Sequence, residues 1–597
     1  AIQRYFVERT RLGIPIIPFD EGVHGLVRDA ATDFPAAIAL AATFDTALVR
    51  QVAGVIAGES ASRGIRQLLS PVANVATDVR WGRVEETYGE DPYLAAQMTG
   101  VFADALERAG VIATPKHFVA NVGAGGRDSY PIDLGPRTLD ETYFPPFRAA
   151  IAHGAQSIMT AYNSVGGVPA TQNRALLTET LRREWGFTGF VISDAAATGG
   201  PTVLQHTEPS TPIAARDAFL AGLDVVFQSS WPQYRPYWRA FADSLIPPAV
   251  IDTAVARVLR AKFALGLFEH PYADPDRAAA QAGDASHRAL ARTAALESIV
   301  LLRNRRHILP LGLALRRVAV IGVDAREART GGYSGAGVAR VSILDGIRAA
   351  LPHARVAFAP GPGRLTQTVV PVPAAALAFD DGDSTHRGLH AEYFDNITLD
   401  GTARVVRADS QVNFAWTLNP PARGLAFDWY SARWTGTITA PRGAPATQLG
   451  IVGTDGYRLW LDDTLVIDDW RKQTVGITLH AVLLRPGTRH AIKLEYFEST
   501  GGARLSLVWN AGVPDRWRRD IDSAVAVARR SQVAIVVAGI EEGEFRDRAK
   551  LSLPGHQEQL IDDVAATGTP VVVVLVGGSA ITMGEWLDRV AGVLDVW

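Results

Sequence analysis

Gly189-Phe190-Val191-Ile192-Ser193-Asp194 is a short apolar run that ends on a polar acid. The run is too short for a helix and too apolar for a surface strand. It therefore predicts a buried strand of a parallel sheet, with Asp194 just past its C-terminal end. The same pattern recurs on both sides of it. Pro15–Phe19 runs into Asp20-Glu21, Gln67–Val72 is followed by Asn74, and Val111–Thr114 by Lys116-His117. Ser157–Thr160 is followed by Tyr162-Asn163, and Leu223–Phe227 is a further run of this kind. Helical patterns lie between the runs, at Pro35–Glu59, Pro92–Ala109, Leu139–His153 and Ala249–Leu265. Strands alternating with helices predict βα units and a parallel sheet, and their number suits a (β/α) TIM-like barrel over residues 1–266. In such a barrel, polar residues gathered after the strands mark the active-site face.

After a turn-rich stretch, taken as a linker over 267–284, a second α/β pattern begins. Arg317–Val323 and Arg355–Ala359 read as strands around a helix at Ser342–Leu351. The pattern breaks in Pro- and Gly-rich sequence after Pro360. It resumes with Val533–Gly539, a helix at Gln557–Ala566 and the strand Val571–Val576. In between, Leu389–Phe394, Phe427–Ala440, Gln448–Leu461, Arg489–Phe497 and Ala503–Trp509 are aromatic and β-branched runs separated by turns. The expected fold class is thus α/β: a barrel followed by an α/β sandwich domain (285–388 and 516–597) interrupted by an all-β sandwich (389–515). Trp434, Trp460, Trp470 and Trp509 of the insert are expected in its core rather than as a sugar platform.

Composition excludes several chemistries. The 597 residues contain no cysteine, which removes disulfides, thiolate catalysis and Cys-ligated metals. Lys plus Arg number 59 against 62 Asp plus Glu, a net charge of -3, so neither nucleic acid nor an anionic membrane is an expected partner. The basic run at Arg516, Arg518 and Arg519 reads as a solvated face. No run is long enough to span a bilayer. No Gly-x-Ser-x-Gly elbow, His-Glu-x-x-His or Walker lysine motif is present, and no metal or other cofactor is expected. Gly331-Gly332-Tyr333-Ser334-Gly335 lacks dinucleotide-fingerprint spacing and reads as a loop. Carboxylate chemistry remains. Glycoside hydrolysis needs one ionised and one protonated carboxyl group on opposite sides of the scissile bond.

At this point the chain resembles glycoside hydrolase family 3. The resemblance is carried by Arg11-Leu12-Gly13-Ile14-Pro15, Glu21-Gly22-Val23-His24-Gly25 and Arg80-Trp81-Gly82-Arg83 with Tyr88-Gly89-Glu90-Asp91-Pro92. It continues through Lys116-His117-Phe118, Ala161-Tyr162-Asn163, Val191-Ile192-Ser193-Asp194, Ala319-Val320-Ile321-Gly322, and Glu542-Gly543-Glu544 with Asp547-Arg548. The insert resembles the protective-antigen-type module of some family members. The resemblance implies a β-glucosidase acting on a small oligosaccharide or glycoside, with Asp194 as nucleophile and Glu544 as acid/base, donated from the second domain. Glu541 and Glu542 compete for the acid's role. Lys116, His117 and Arg83 would bind the sugar, Tyr162 would line its floor, and Glu21 would grip its far end. Asp194 and Glu544 should then lie about 5–5.5 Å apart, as in retaining enzymes.

Three departures from the family's pattern are visible, and one further stretch, Arg127–Tyr130, speaks against its acetamido-sugar subgroup. Glu21 stands where many family glucosidases carry Asp, which points to a β-xylosidase or α-L-arabinofuranosidase as the alternative; Asp20 beside it could compensate. Ala195 stands where an aromatic is common, and Phe545 where Gly is common. Arg127-Asp128-Ser129-Tyr130 lacks the histidine of the acetamido-sugar subgroup. A decayed, purely sugar-binding protein is the reading from another class. The resemblance also implies that a longer protein continues beyond Trp597. A periplasmic or extracellular location is expected over a cytoplasmic one, and the insert is expected to border the cleft or to mediate a homodimer.

Overall fold

The computed structural model describes residues 2–227, 231–365, 368–416, 420–426, 428–443, 445–473, 475–499, 503–513 and 516–597. Ala1, Phe427 and Asp515, which bound three of the expected segments, lie outside the described residues.

The first part is a parallel sheet in chain order. Phe19–Asp20 pairs with Gln67–Leu68, which pairs with Ile112–Ala113. Single bridges Val72–Lys116, Phe118–Thr160 and Ile192–Val225, with the ladder of Ser157–Met159 on Phe190–Ile192, continue the series to residue 225. The first and last members meet through the Phe19 and Phe227 rings, 5.2 Å apart, edge to face. Among the described residues no ladder joins residue 225 to residue 19, so the sheet curves round without a hydrogen-bonded closure.

Local chemistry explains the flanking helices. Asp91 caps Pro92–Arg108 by accepting from the Tyr93 and Leu94 amides, and Pro92 opens the helix where no amide donor is needed. Two expected helices are interrupted. Pro35–Glu59 splits into Ala37–Ala42 and Thr46–Ser62, because Asp45 caps the second by accepting from Ala47 and Leu48. Leu139–His153 becomes a widened turn, Leu139–Tyr143, and a helix, Pro145–Ala152, since two prolines remove amide donors at the junction. The stretch expected as a linker holds a helix, Pro275–Gln281, capped by Asp274.

The second sheet runs in the order Arg355–Ala359, Arg317–Ile321, Val533–Gly539, Val571–Val576, Gly592–Asp595 and Val300–Asn304; only the last is antiparallel. Among the described residues, the all-β region between Ala359 and Trp517 forms two antiparallel sheets, of five and eight strands. Its pairing begins before residue 389: Val370–Pro371 pairs with Arg504–Trp509, and Leu377–Asp380 with Tyr430–Thr439. The Pro- and Gly-rich sequence there had hidden these strands. Trp434 and Trp509 are core residues, beside Tyr393, Tyr430 and Tyr496. Trp460 and Trp470 are half-buried instead, and cations cover their rings: Lys493 Nζ lies 3.6 Å from the Trp460 ring and the Arg458 guanidinium 4.5 Å from that of Trp470.

Candidate active site

Asp194 follows the strand Phe190–Ile192. Ser193 turns back into the sheet, where its backbone amide bonds to Val225 O and its Oγ accepts from the Phe227 amide. Asp194 therefore faces the cleft. Its Oδ1 accepts from the Ala195 amide at 2.7 Å, while Oδ2 is buried without a hydrogen-bond partner. Burial pushes the carboxyl up to about 7. Arg83 and Lys116 pull it down, and the negative charge of Glu544 raises it further.

The cations are held from behind. Arg83 is 1% exposed, and its Nε and Nη2 clasp both oxygens of Glu86 at 2.7 and 2.8 Å. Burial works against its charge, but Glu86 and Glu544 outweigh it, so Arg83 stays a cation. Its remaining reach goes to His117 Nε2 at 3.1 Å and Glu544 Oε1 at 3.3 Å. Lys116 Nζ bonds Glu21 Oε2 at 2.8 Å. Burial raises the Glu21 carboxyl against that pull, and its side chain is 23% exposed.

His117 has a defined tautomer. Arg83 can only donate, so Nε2 must accept; Nδ1 then carries the proton and donates to Asn74 Oδ1 at 2.9 Å. Burial and the charges of Arg83 and Lys116 depress its pKa well below the ordinary histidine value. The 3.5 Å approach of His117 Nε2 to Asp194 Oδ2 is therefore not an ion pair. Tyr162 stands near both Asp194 and Glu544; burial and those charges raise its phenol well above the ordinary value and keep it a neutral donor.

Glu544 arrives from the loop after Val533–Gly539. That loop is fastened to the first sheet's domain by its backbone. The Gly543 amide donates to Gly82 O at 2.8 Å and the Arg548 amide to Arg80 O at 2.7 Å. Asp547 accepts from the Gly82 and Asp128 amides, each at 2.9 Å. A Cβ on Gly82 would overlap the Gly543 carbonyl oxygen, so this approach requires glycine. The three neighbouring glutamates go to different places. Glu541 bonds Arg364 and Arg546. Glu542 accepts from the Gly578 amide, and burial beside Glu85 pushes it up to about 8. Of the three, Glu544 is the one that meets Arg83. Its Oε2 accepts from Tyr333 Oη at 3.0 Å.

The structure thus brings Asp194, Glu544, Arg83, Lys116, His117, Glu21 and Tyr162 together. Asp20 does not join them: its carboxylate pairs with Arg28 and caps the Glu21 amide, so it cannot compensate for Glu21. Two neighbours were missed in the sequence. Tyr333 comes from the Gly-rich loop Gly331–Gly335. Trp429 comes from the all-β region and packs on Gly199, at the end of the turn that follows Asp194, with its ring 6.3 Å from that of Tyr237. An aromatic absent at Ala195 thus reaches the same turn from elsewhere in the chain. No local pattern signals either residue, because each contact is made across hundreds of positions.

Comparison with known proteins gives a consistent picture. Residues 1–261 match the family description "Glycosyl hydrolase family 3 N terminal domain", and residues 299–597 match "Glycosyl hydrolase family 3 C-terminal domain". A β-glucosidase of Rhizobium radiobacter is 31% identical over 621 residues, covering 98% of this chain and 71% of the relative. A β-xylosidase of Formosa agariphila is 36% identical over 386 residues, covering 59% of this chain and 53% of the relative. A periplasmic β-glucosidase of Salmonella typhimurium is 35% identical over 372 residues, covering 59% of this chain and 47% of the relative. Among solved structures, a β-glucosidase from Erythrobacter marinus superposes with a TM-score of 0.71 at 27% identity. The match covers 100% of this chain but 65% of that one, so this chain spans about two thirds of its length.

Proposed function

This chain belongs to glycosyl hydrolase family 3, and from that premise we infer that it is a retaining, exo-acting β-glucosidase, hydrolysing terminal β-D-glucosyl residues. One observation carries the reading. Asp194 Oδ2 is buried, unpartnered and flanked by buried cations, and Glu544 of a second domain faces it. A carboxylate so held is a nucleophile without a competing bond. Asp194 attacks the anomeric carbon, the glycosidic C–O bond breaks, and Glu544 gives its proton to the departing oxygen. Water then attacks the same carbon, passes a proton to Glu544 and breaks the ester to Asp194, so the configuration is retained. Arg83, Lys116 and His117 bind the sugar hydroxyls, and Tyr162 forms the floor. Incubation with a 2-deoxy-2-fluoro-β-glucoside tests this: mass spectrometry should find the label on the Asp194 peptide. An unlabelled protein would favour a pure sugar binder and overturn the reading.

A second reading is favoured by Glu21. Its extra methylene carries the carboxylate inward, and the Lys116 bond holds it there, which suits a pentose without a hydroxymethyl arm. The Formosa agariphila relative named β-xylosidase agrees with it. The ratio of kcat/KM for aryl β-glucoside and aryl β-xyloside decides between the two. A periplasmic location is supported by the name of the Salmonella relative. Among the described residues, no helix is long and apolar enough to cross a membrane. The all-β region is proposed as a protective-antigen-type module at the cleft's rim, where Trp429 packs beside the turn after Asp194.

A further inference from the structure

The loop Gly331–Gly335 is fixed more firmly than a surface loop needs to be. The Gly332 amide donates to Glu85 Oε1 at 3.1 Å, and the Gly332 carbonyl meets His24 Nε2 at 2.8 Å. The Gly335 amide donates to Asp33 Oδ1 at 3.2 Å, and the Thr330 and Ser334 hydroxyls bond each other at 2.7 Å. The product of this anchoring is a single side chain. Tyr333, at φ +51°, crosses the cleft with its ring over Lys116 Nζ, 4.8 Å from the centroid, and its hydroxyl on Glu544 Oε2.

Resting on the reading of Glu544 as proton donor, we propose that Tyr333 is a positioning residue: it anchors Oε2 of Glu544 so that Oε1 is the oxygen presented to the leaving group. The two oxygens are held unequally. Oε2 accepts from Tyr333 Oη at 3.0 Å, whereas Oε1 accepts a longer contact, 3.3 Å, from Arg83 Nη1. An arriving aglycone displaces the longer contact. The proton then leaves from Oε1 while Oε2 keeps its anchor. A phenol suits the task because it remains a neutral donor; burial and the charge of Glu544 raise its pKa well above the ordinary value. The loop carrying Glu544 can in this way be set by the first domain through Gly82 and by the second through Tyr333.

The test is a leaving-group series. kcat/KM is measured for aryl β-glucosides from phenyl to 2,4-dinitrophenyl, on the wild type, Tyr333→Phe and Asp194→Ala. Tyr333→Phe keeps the ring over Lys116 and removes only the hydroxyl. It should lose about tenfold or more on phenyl β-glucoside, where protonation matters, and stay within about twofold on 2,4-dinitrophenyl β-glucoside, where it does not. Misfolding would lower all substrates by one factor, so the contrast is its own control. An equal loss on every leaving group in a variant that keeps the wild-type Tm, or no loss at all, overturns the role of Tyr333. Asp194→Ala keeping its turnover on the dinitrophenyl substrate would instead overturn Asp194 as the nucleophile in the reading beneath it.

Discussion

The two walls of the cleft hold their carboxylates by different means. On the first, Asp194 leaves a buried strand, and the groups around it are locked by side chains that are themselves buried: Glu86 behind Arg83, Asn74 behind His117. On the second, Glu544 rides on a loop, is 26% exposed, and owes its position to backbone bonds across an interface. The first wall is an environment made in advance, suited to a charge that must be stabilised when it forms. The second is a delivered group, whose accuracy depends on how two domains dock. Damage to the first wall should stop the chemistry for every substrate. Damage to the second should be graded by how much the leaving group needs a proton.

The largest expected effect is on the first wall. Asp194→Ala should lose at least about 10⁴-fold in kcat on every glucoside, whatever the aglycone. Comparable activity in that variant would break the comparison at its root. Glu544→Ala should lose about 10²–10⁴-fold on phenyl β-glucoside and far less on the dinitrophenyl analogue, with azide restoring part of the turnover. Asp547→Ala touches no substrate, yet removes the bonds to the Gly82 and Asp128 amides. It should cost about tenfold on phenyl β-glucoside with the same leaving-group dependence; a uniform loss would mean the interface only supports folding.

Two pH measurements sharpen the contrast. With its carboxyl raised to about 7, Asp194 loses its nucleophilic form as pH falls, so kcat/KM should show an acid limb near that value. The charge of Glu544 is among the causes of the rise. Glu544→Gln, assayed with the dinitrophenyl substrate, should therefore move the limb to lower pH. The smallest effect concerns Glu542. Its carboxyl ordinarily titrates at 4.5 and is raised to about 8 by burial. The folded state thus binds the proton more tightly. The stability this contributes is present below 4.5 and is lost as pH rises towards 8. Glu542→Gln should flatten the fall in Tm between those values.

The first wall was largely legible in the sequence because its chemistry follows its strands. Lys116-His117, Tyr162 and Asp194 each come directly after an apolar run, and a parallel sheet brings such positions to one face. The motif around Asp91-Pro92 was legible for a different reason: it is a helix start. The second wall was half legible. The resemblance pointed to Glu544 with Glu541 and Glu542 as competitors, and only the fold shows that Glu541 turns to Arg364 and Glu542 to the Gly578 amide. Tyr333 and Trp429 were not legible, since a loop of glycines and a strand end in the all-β region carry no local sign of the distant partners they meet. The helix Trp517–Ala528 was missed as well: it has no capping side chain, and its arginines read as surface charge, although Arg518 stacks on Trp517 at 4.2 Å.

The most direct test of the account is the anomeric form of the sugar first released from an aryl β-glucoside, followed by proton NMR before mutarotation. Attack by Asp194 with Glu544 as acid and then base gives β-glucose first, with the α-anomer appearing only afterwards. Initial release of α-glucose would mean that water attacks directly, and would contradict Asp194 as the nucleophile.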